Sequence, residues 1–142
     1  MLRVVIDTNV IVSGILSRMG APAEVLKAWR ERRYLLLSSP AIVADLRAVL
    51  HYPRIREKYA LSDEDIEQAM MLLEHDALLV AGSVNTTGSV PSDPTDEMFL
   101  ACAVDGQANV IVSGDHHLLD MGIYRDIQIM SAPRFLNLLA PE

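Results

Sequence analysis

Cysteine is nearly missing from this 142-residue chain: Cys102 stands alone. One thiol closes no intrachain disulfide and builds no cysteine-based zinc site. Long apolar runs are missing too. The richest stretch is interrupted by Arg3, Asp7 and Asn9, short of the ~18 residues a membrane helix needs. No basic segment followed by an apolar one opens the chain, so no secretory signal is expected. No G-x-x-x-x-G-K-[ST] loop is present, which excludes that mode of triphosphate binding, and no G-x-S-x-G elbow is present. These absences lead to the expectation of a soluble protein of the reducing cytoplasm, without a membrane partner.

Basic residues are also scarce, 12 Lys and Arg against 19 Asp and Glu, for a net charge of −7. The deficit is uneven. Residues 1–58 carry ten of the cations and five of the acids, and residues 59–142 carry two and fourteen. The first part is therefore +5 and the second −12. A local anionic partner on the first part remains open, as do plain solvated helix faces.

The composition itself is ordinary for one globular domain, with 51% apolar and 22% charged residues. Five short apolar segments read as strands: Leu2 to Ile6, Tyr34 to Leu37, Ala77 to Val80, Val110 to Val112 and Ile127 to Met130. Helices are expected from Pro22 to the Arg30–Arg33 run and from Ser39 to a break at Pro53. Others are expected after a Ser62–Asp65 cap, from Pro94 to about Val104, and over Phe135 to Leu139. Residues 83–92 read as a polar loop, and Trp29 as core. Met71 and Leu72 lie off the core face of their helix, toward a partner or a neighbouring helix. Strands alternating with helices imply a central parallel sheet of about five strands covered on both faces. In such sheets, sites form outside the carboxyl ends of the strands.

Asp7 and Asp115 stand at two of those ends. Asp96 is an anomaly. At 100° per residue it falls near the middle of the buried face set by Phe99, Leu100, Ala103 and Val104. Two readings are open: an acid directed at the site, or the third helical position of a capping box with Asp93 as N-cap and Pro94 at N1. Asp45 lies on the flank of its helix, where an exposed ion pair is the alternative. Two carboxylates ~5 Å apart repel by about 3 kcal/mol at an effective dielectric of 20. Four together need protons or a cation, and all-oxygen ligands suit Mg²⁺ or Mn²⁺. Ions so held are suited to phosphoryl chemistry. Cys102, without basic neighbours, reads as a buried inert thiol. His116-His117 reads as a metal ligand pair, a proton shuttle or a surface turn.

Four segments in order carry a family resemblance: Val4-Val5-Ile6-Asp7-Thr8-Asn9-Val10; Ser39-Pro40 with Asp45-Leu46 and Val49-Leu50; Asp93 to Leu100; and Val110 to Asp115. Together they resemble PIN-domain ribonucleases over nearly the whole chain, and most of all the VapC-like toxins of type II toxin–antitoxin systems. The resemblance implies a three-layer αβα fold in a single PIN-like domain over 1–142 and an endoribonuclease dependent on Mg²⁺ or Mn²⁺, in which a metal-activated water cleaves RNA. It implies a homodimer and a cognate antitoxin as partners. Asp7, Asp96 and Asp115 match metal ligands. Asp45 stands where the family usually has Glu, serving directly or through water. Asn9 and Ser113 match polar positions beside the acids, and Asp93 is an auxiliary acid or only a cap. His117 stands where a further acid is common. Arg32, Arg33, Arg54, Arg56 and Lys58, from the +5 segment, are candidate RNA contacts.

Two other readings stand beside it. One is a phosphatase with Asp7 as nucleophile, weakened by Asn9 where such enzymes place a second Asp. The other is a catalytically degenerate module that binds a regulator or partner.

Overall fold

The computed structural model describes residues 1–91 and 93–140. Ser92, the last residue of the expected polar loop, lies outside them, as do Pro141 and Glu142 at the end of the expected single domain.

Six strands form one sheet: β1 (Arg3–Ile6), β2 (Leu35–Ser38), β3 (Leu78–Leu79), β4 (Val110–Val112), β5 (Ile123–Tyr124) and β6 (Ile127–Met130). Their order is β3-β2-β1-β4-β6-β5. Every pairing is parallel except that of β5 with β6. The expected parallel sheet is present, enlarged by one short antiparallel strand. Residues 123–124 are too few to show a period.

Alternation along β1 assigns the two faces. Val4 and Ile6 enter one buried cluster with Leu36, Val110 and Val112. Val5 enters the other with Leu37, Ile111 and Ile129. Helices cover both. α1 (Thr8–Leu16), α2 (Ala21–Arg30), α3 (Pro40–Leu50), α5 (Asp63–Asp76) and α8 (Ala132–Leu139) contribute most to the first cluster, and α6 (Glu97–Asp105) to the second. α4 (Pro53–Tyr59) buries no residue, and α7 (His116–Leu119) buries Leu118. This is the three-layer αβα arrangement.

Several boundaries differ from the sequence reading. Pro53 does end α3, yet it also occupies the first turn of α4, where its missing N–H leaves no bond unmade. The Ser62 cap forms as read, with Asp65 returning a bond to the Ser62 N–H at 2.9 Å. Trp29 is half-buried against the core. Met71 is 65% exposed, whereas Leu72 is half-buried. α1 and α2 meet at Gly14. A Cβ there would lie 2.6 Å from Leu26 Cδ1 and 2.7 Å from the Pro22 carbonyl oxygen, so only glycine admits this approach.

Candidate metal centre

β1 and β4 are the two central strands, and the backbone ladder runs just beyond their ends. Asp7 N–H donates to the Val112 carbonyl at 3.0 Å, and Ser113 N–H to that of Met130 at 3.0 Å. These bonds hold Asp7 and the Ser113–Asp115 segment side by side.

Asp7 is 3% exposed. Its Oδ1 accepts from the Val10 N–H at 2.9 Å, which caps α1. Its Oδ2 accepts from the Ser113 hydroxyl and from the Gly114 N–H at 3.2 Å. Burial raises its pKa above the usual 3.8; the three hydrogen bonds oppose the rise, and the charge of Asp115 adds to it. Ser113, wholly buried, bridges two acids. It donates to Asp7 and accepts from the Asp115 N–H at 2.9 Å.

Asp96 closes a 3₁₀ turn, Pro94–Asp96, immediately before α6. It is 7% exposed, and its Oδ2 is buried without a hydrogen-bond partner among the described residues. The capping box does not form. Asp93 makes no side-chain cap bond; its Oδ1 accepts from the Thr95 hydroxyl instead. A 3₁₀ turn replaces the first α-helical turn that such a box requires.

Burial, first, and then Asp115, Asp93 and Asp7 push the Asp96 pKa up to about 8. Burial also disfavours the Asp115 carboxylate. The neighbouring Asp96 side chain, the His117 N–H and the two neighbouring imidazoles outweigh it and hold Asp115 below the usual value.

Asp115 caps α7, accepting from the His117 N–H at 2.8 Å. The His117 Nδ1 lies 3.1 Å from Asp115 Oδ1. It is buried and makes no hydrogen bond there, so proximity without alignment is what the pair has. Asp93, Asp96, Asp115 and His117 each offer a ligand atom, and these atoms lie within 4.8 Å of one another. Asp7 stands behind this group and acts on it through its charge and Ser113.

Asp45 is not in the group. Its Oδ2 accepts from the Thr8 hydroxyl at 2.6 Å, fastening α3 to the start of α1. Thr8 was not singled out in the sequence; a hydroxyl beside Asp7 gives no signal of a partner 37 positions away. Asn9 is exposed. With Asp93, Asp115, His116 and His117 it lines an open depression of about 440 Å³. A larger cavity of about 510 Å³, lined by Ile11, Leu26, Trp29 and Leu72, shares no residue with it. Cys102 is buried, which pushes its thiol up to about 12 and leaves it inert.

The cations are placed elsewhere. Arg32 and Arg33 precede β2, at the amino end of the parallel strands, opposite the acids. Arg33 donates to the Leu139 carbonyl at 2.7 Å. Arg54, Arg56 and Lys58 lie on α4, where Arg56 pairs with Asp63 at 2.9 Å.

Three comparisons bear on this arrangement. A family model described as PIN domain matches residues 3–117. An uncharacterized protein of Methanocaldococcus jannaschii is 27% identical over 120 residues, covering 84% of this chain and 75% of that one. Among solved structures, one described as VapBC2 from Rickettsia felis bound to a DNA fragment from their promoter contains a chain that superposes with a TM-score of 0.60. That match has 12% identity and covers 90% of this chain and 97% of the other, a likeness of fold.

Proposed function

Because this chain belongs to the PIN-domain family, whose members are generally nucleases, we propose that it is a divalent-cation-dependent endoribonuclease, the toxin of a toxin–antitoxin pair. The observation that carries this reading is Asp96: a buried carboxylate with an unpartnered oxygen, set among Asp93, Asp115 and Asp7. Such a group needs a proton or a cation, and its mostly oxygen donors fit Mg²⁺ or Mn²⁺.

Asp96 and Asp115 would hold the ion, with Asp93 beside them and Asp7 as the third principal acid. When bound, the ion would supply an acidified water and positive charge against the developing charge on the phosphodiester. Ser113 ties the Asp7 carboxylate to the backbone N–H of Asp115. Asp45 acts through Thr8, positioning the residue next to Asp7. Asn9, exposed on the rim, is placed to meet substrate.

Purified protein is expected to cut single-stranded RNA with Mg²⁺ or Mn²⁺ and to stop in excess EDTA. Undiminished cleavage in EDTA would sink the metal-dependent reading. Cation binding without cleavage of any RNA would favour the degenerate, partner-binding module instead. An adjacent small gene for a DNA-binding antitoxin would support the toxin role. Cytoplasmic location and homodimerisation belong to the same proposal. Among the described residues no helix is long and apolar enough to cross a membrane.

RNA guidance falls to α4, which buries none of its residues and carries Arg54, Arg56 and Lys58, of which Arg56 pairs with Asp63. Reversing Arg54 and Lys58 to Glu is expected to weaken RNA binding and flatten its salt dependence, by roughly 0.7 in log–log slope per lost phosphate contact. The same reversal at Arg32 and Arg33, at the far end of the sheet, is the comparison. An unchanged slope in the α4 variant would make those cations plain surface, whereas a flattened slope in the Arg32/Arg33 variant would move the RNA path to the other end.

A further inference from the structure

We propose that the cation centre is a mixed oxygen–nitrogen site in which the His117 imidazole is a ligand, so that it selects Mn²⁺ over Mg²⁺. This deepens the cation-dependent reading above and rests on it. Two independent observations converge. Asp96 is more than nine-tenths buried, its Oδ2 has no hydrogen-bond partner among the described residues, and one of its oxygens lies in the group. The His117 Nδ1 is likewise buried and without a hydrogen bond, although Asp115 Oδ1 lies only 3.1 Å away. Both residues belong to one set, with Asp93 and Asp115, in which each offers a ligand atom and these atoms lie within 4.8 Å of one another.

An imidazole nitrogen left unsatisfied in a buried position is either an energetic loss or a ligand. Its placement here favours the second. The short α7 presents His117 to the acids because Asp115 caps that helix on the His117 N–H. The same carboxylate thus fixes both an oxygen donor and the backbone that carries the nitrogen donor. The ring of His116, exposed, lies beside that of His117, tilted by 38° with centroids 4.0 Å apart.

The donor chemistry sets the choice of ion. Mg²⁺ takes oxygen ligands, keeps several waters and loses them reluctantly. Mn²⁺ accepts carboxylates equally well and tolerates nitrogen, standing on the series in which affinity for nitrogen donors rises across the first-row ions. Three carboxylates without His117 would give Mg²⁺ and Mn²⁺ similar standing. One imidazole added to them favours Mn²⁺.

The test is Mn²⁺ binding by electron paramagnetic resonance, with Mg²⁺ as competitor, on the parent chain, His117→Ala and His117→Gln. The parent is expected to bind Mn²⁺ more tightly than Mg²⁺, and its spin echo to show modulation from a directly bound nitrogen. In His117→Ala the nitrogen signal is lost. Mn²⁺ affinity there falls by at least the roughly tenfold that losing an outer-shell partner of a ligand costs, while Mg²⁺ affinity holds. His117→Gln, which offers an amide oxygen, keeps Mg²⁺ binding and lacks the nitrogen signal. An unchanged Mn²⁺/Mg²⁺ ratio in both variants, or no nitrogen modulation in the parent, would overturn the proposal. Cleavage that persists with the ratio unchanged rejects only the nitrogen ligand. Selective Mn²⁺ binding without cleavage rejects only the nuclease.

Discussion

Asp96→Asn is expected to make the cation-free protein more stable at pH 9 and to remove most of the stabilisation that Mn²⁺ gives the parent. The sign follows from the direction of the shift. The folded pKa of Asp96 is raised to about 8, from an ordinary 3.8. A group so shifted favours the fold fully below pH 3.8, and that contribution is lost as pH rises through about 8. At about 1.4 kcal/mol per pH unit, the upper bound is about 6 kcal/mol. Asp115, held low beside Asp96, returns part of this. A net gain of a few kcal/mol remains for the variant above pH 8, worth roughly 10 °C in a chain of this size. Near pH 4 parent and variant converge.

Mn²⁺ in excess stabilises the parent by about 2.7 kcal/mol at a hundred times its Kd. The variant, lacking the unpartnered oxygen, gains little, and its cleavage disappears with the fold intact. Thermal melts of both chains at several pH values, in EDTA and in Mn²⁺, measure every element of this. A variant lower by roughly 0.3–1 kcal/mol in both conditions would show Asp96 acting only as a charge at the helix start.

The second large effect is expected at Phe135, far from the acids. Phe135 is wholly buried and meets the Tyr34 ring edge-on, with centroids 5.1 Å apart. Tyr34 in turn donates to the Val25 carbonyl at 2.7 Å, so the contact joins α8, the residue just before β2, and α2. Phe135→Ala removes the ring and leaves a cavity, a loss of about 3–5 kcal/mol. Against a total of about 5–15 kcal/mol, that is a large share. The family match ends at residue 117, while β6 and α8 lie beyond it. A single unfolding transition, shifted by that amount, supports the single-domain proposal for residues 1–142. A loss under about 1 kcal/mol would make α8 an appendage. Urea unfolding followed by circular dichroism reads this directly.

How much of this was legible depended on what each residue does locally. Val4-Val5-Ile6 declared itself because a strand buried on both faces reads as an unbroken β-branched run. The same trait hid α1. Val10-Ile11-Val12 is β-branched and all three are buried, so neither composition nor an amphipathic stripe announces a helix. Asp96 was legible as an acid on an apolar face, and its burial agrees. The alternative of a capping box with Asp93 was equally legible and fails, because spacing cannot distinguish a 3₁₀ turn from an α-turn. Asp45 was visible only as a helix flank. Its bond to Thr8 depends on how α3 crosses α1, which no local pattern encodes.

Asp7 joins two jobs in one carboxylate: it closes the first turn of α1 and receives the Ser113 and Gly114 donors beyond β4. The acid is therefore tied into the most protected part of the molecule. Amide-exchange openings that would free it must part β1 from β4 at the middle of the sheet, so they carry nearly the whole unfolding free energy. This half of the centre is assembled as soon as the chain is folded, and no cation has to order it. On the proposed reading, the exposed rim at Asn9 and His116 can change without loosening the acid beneath.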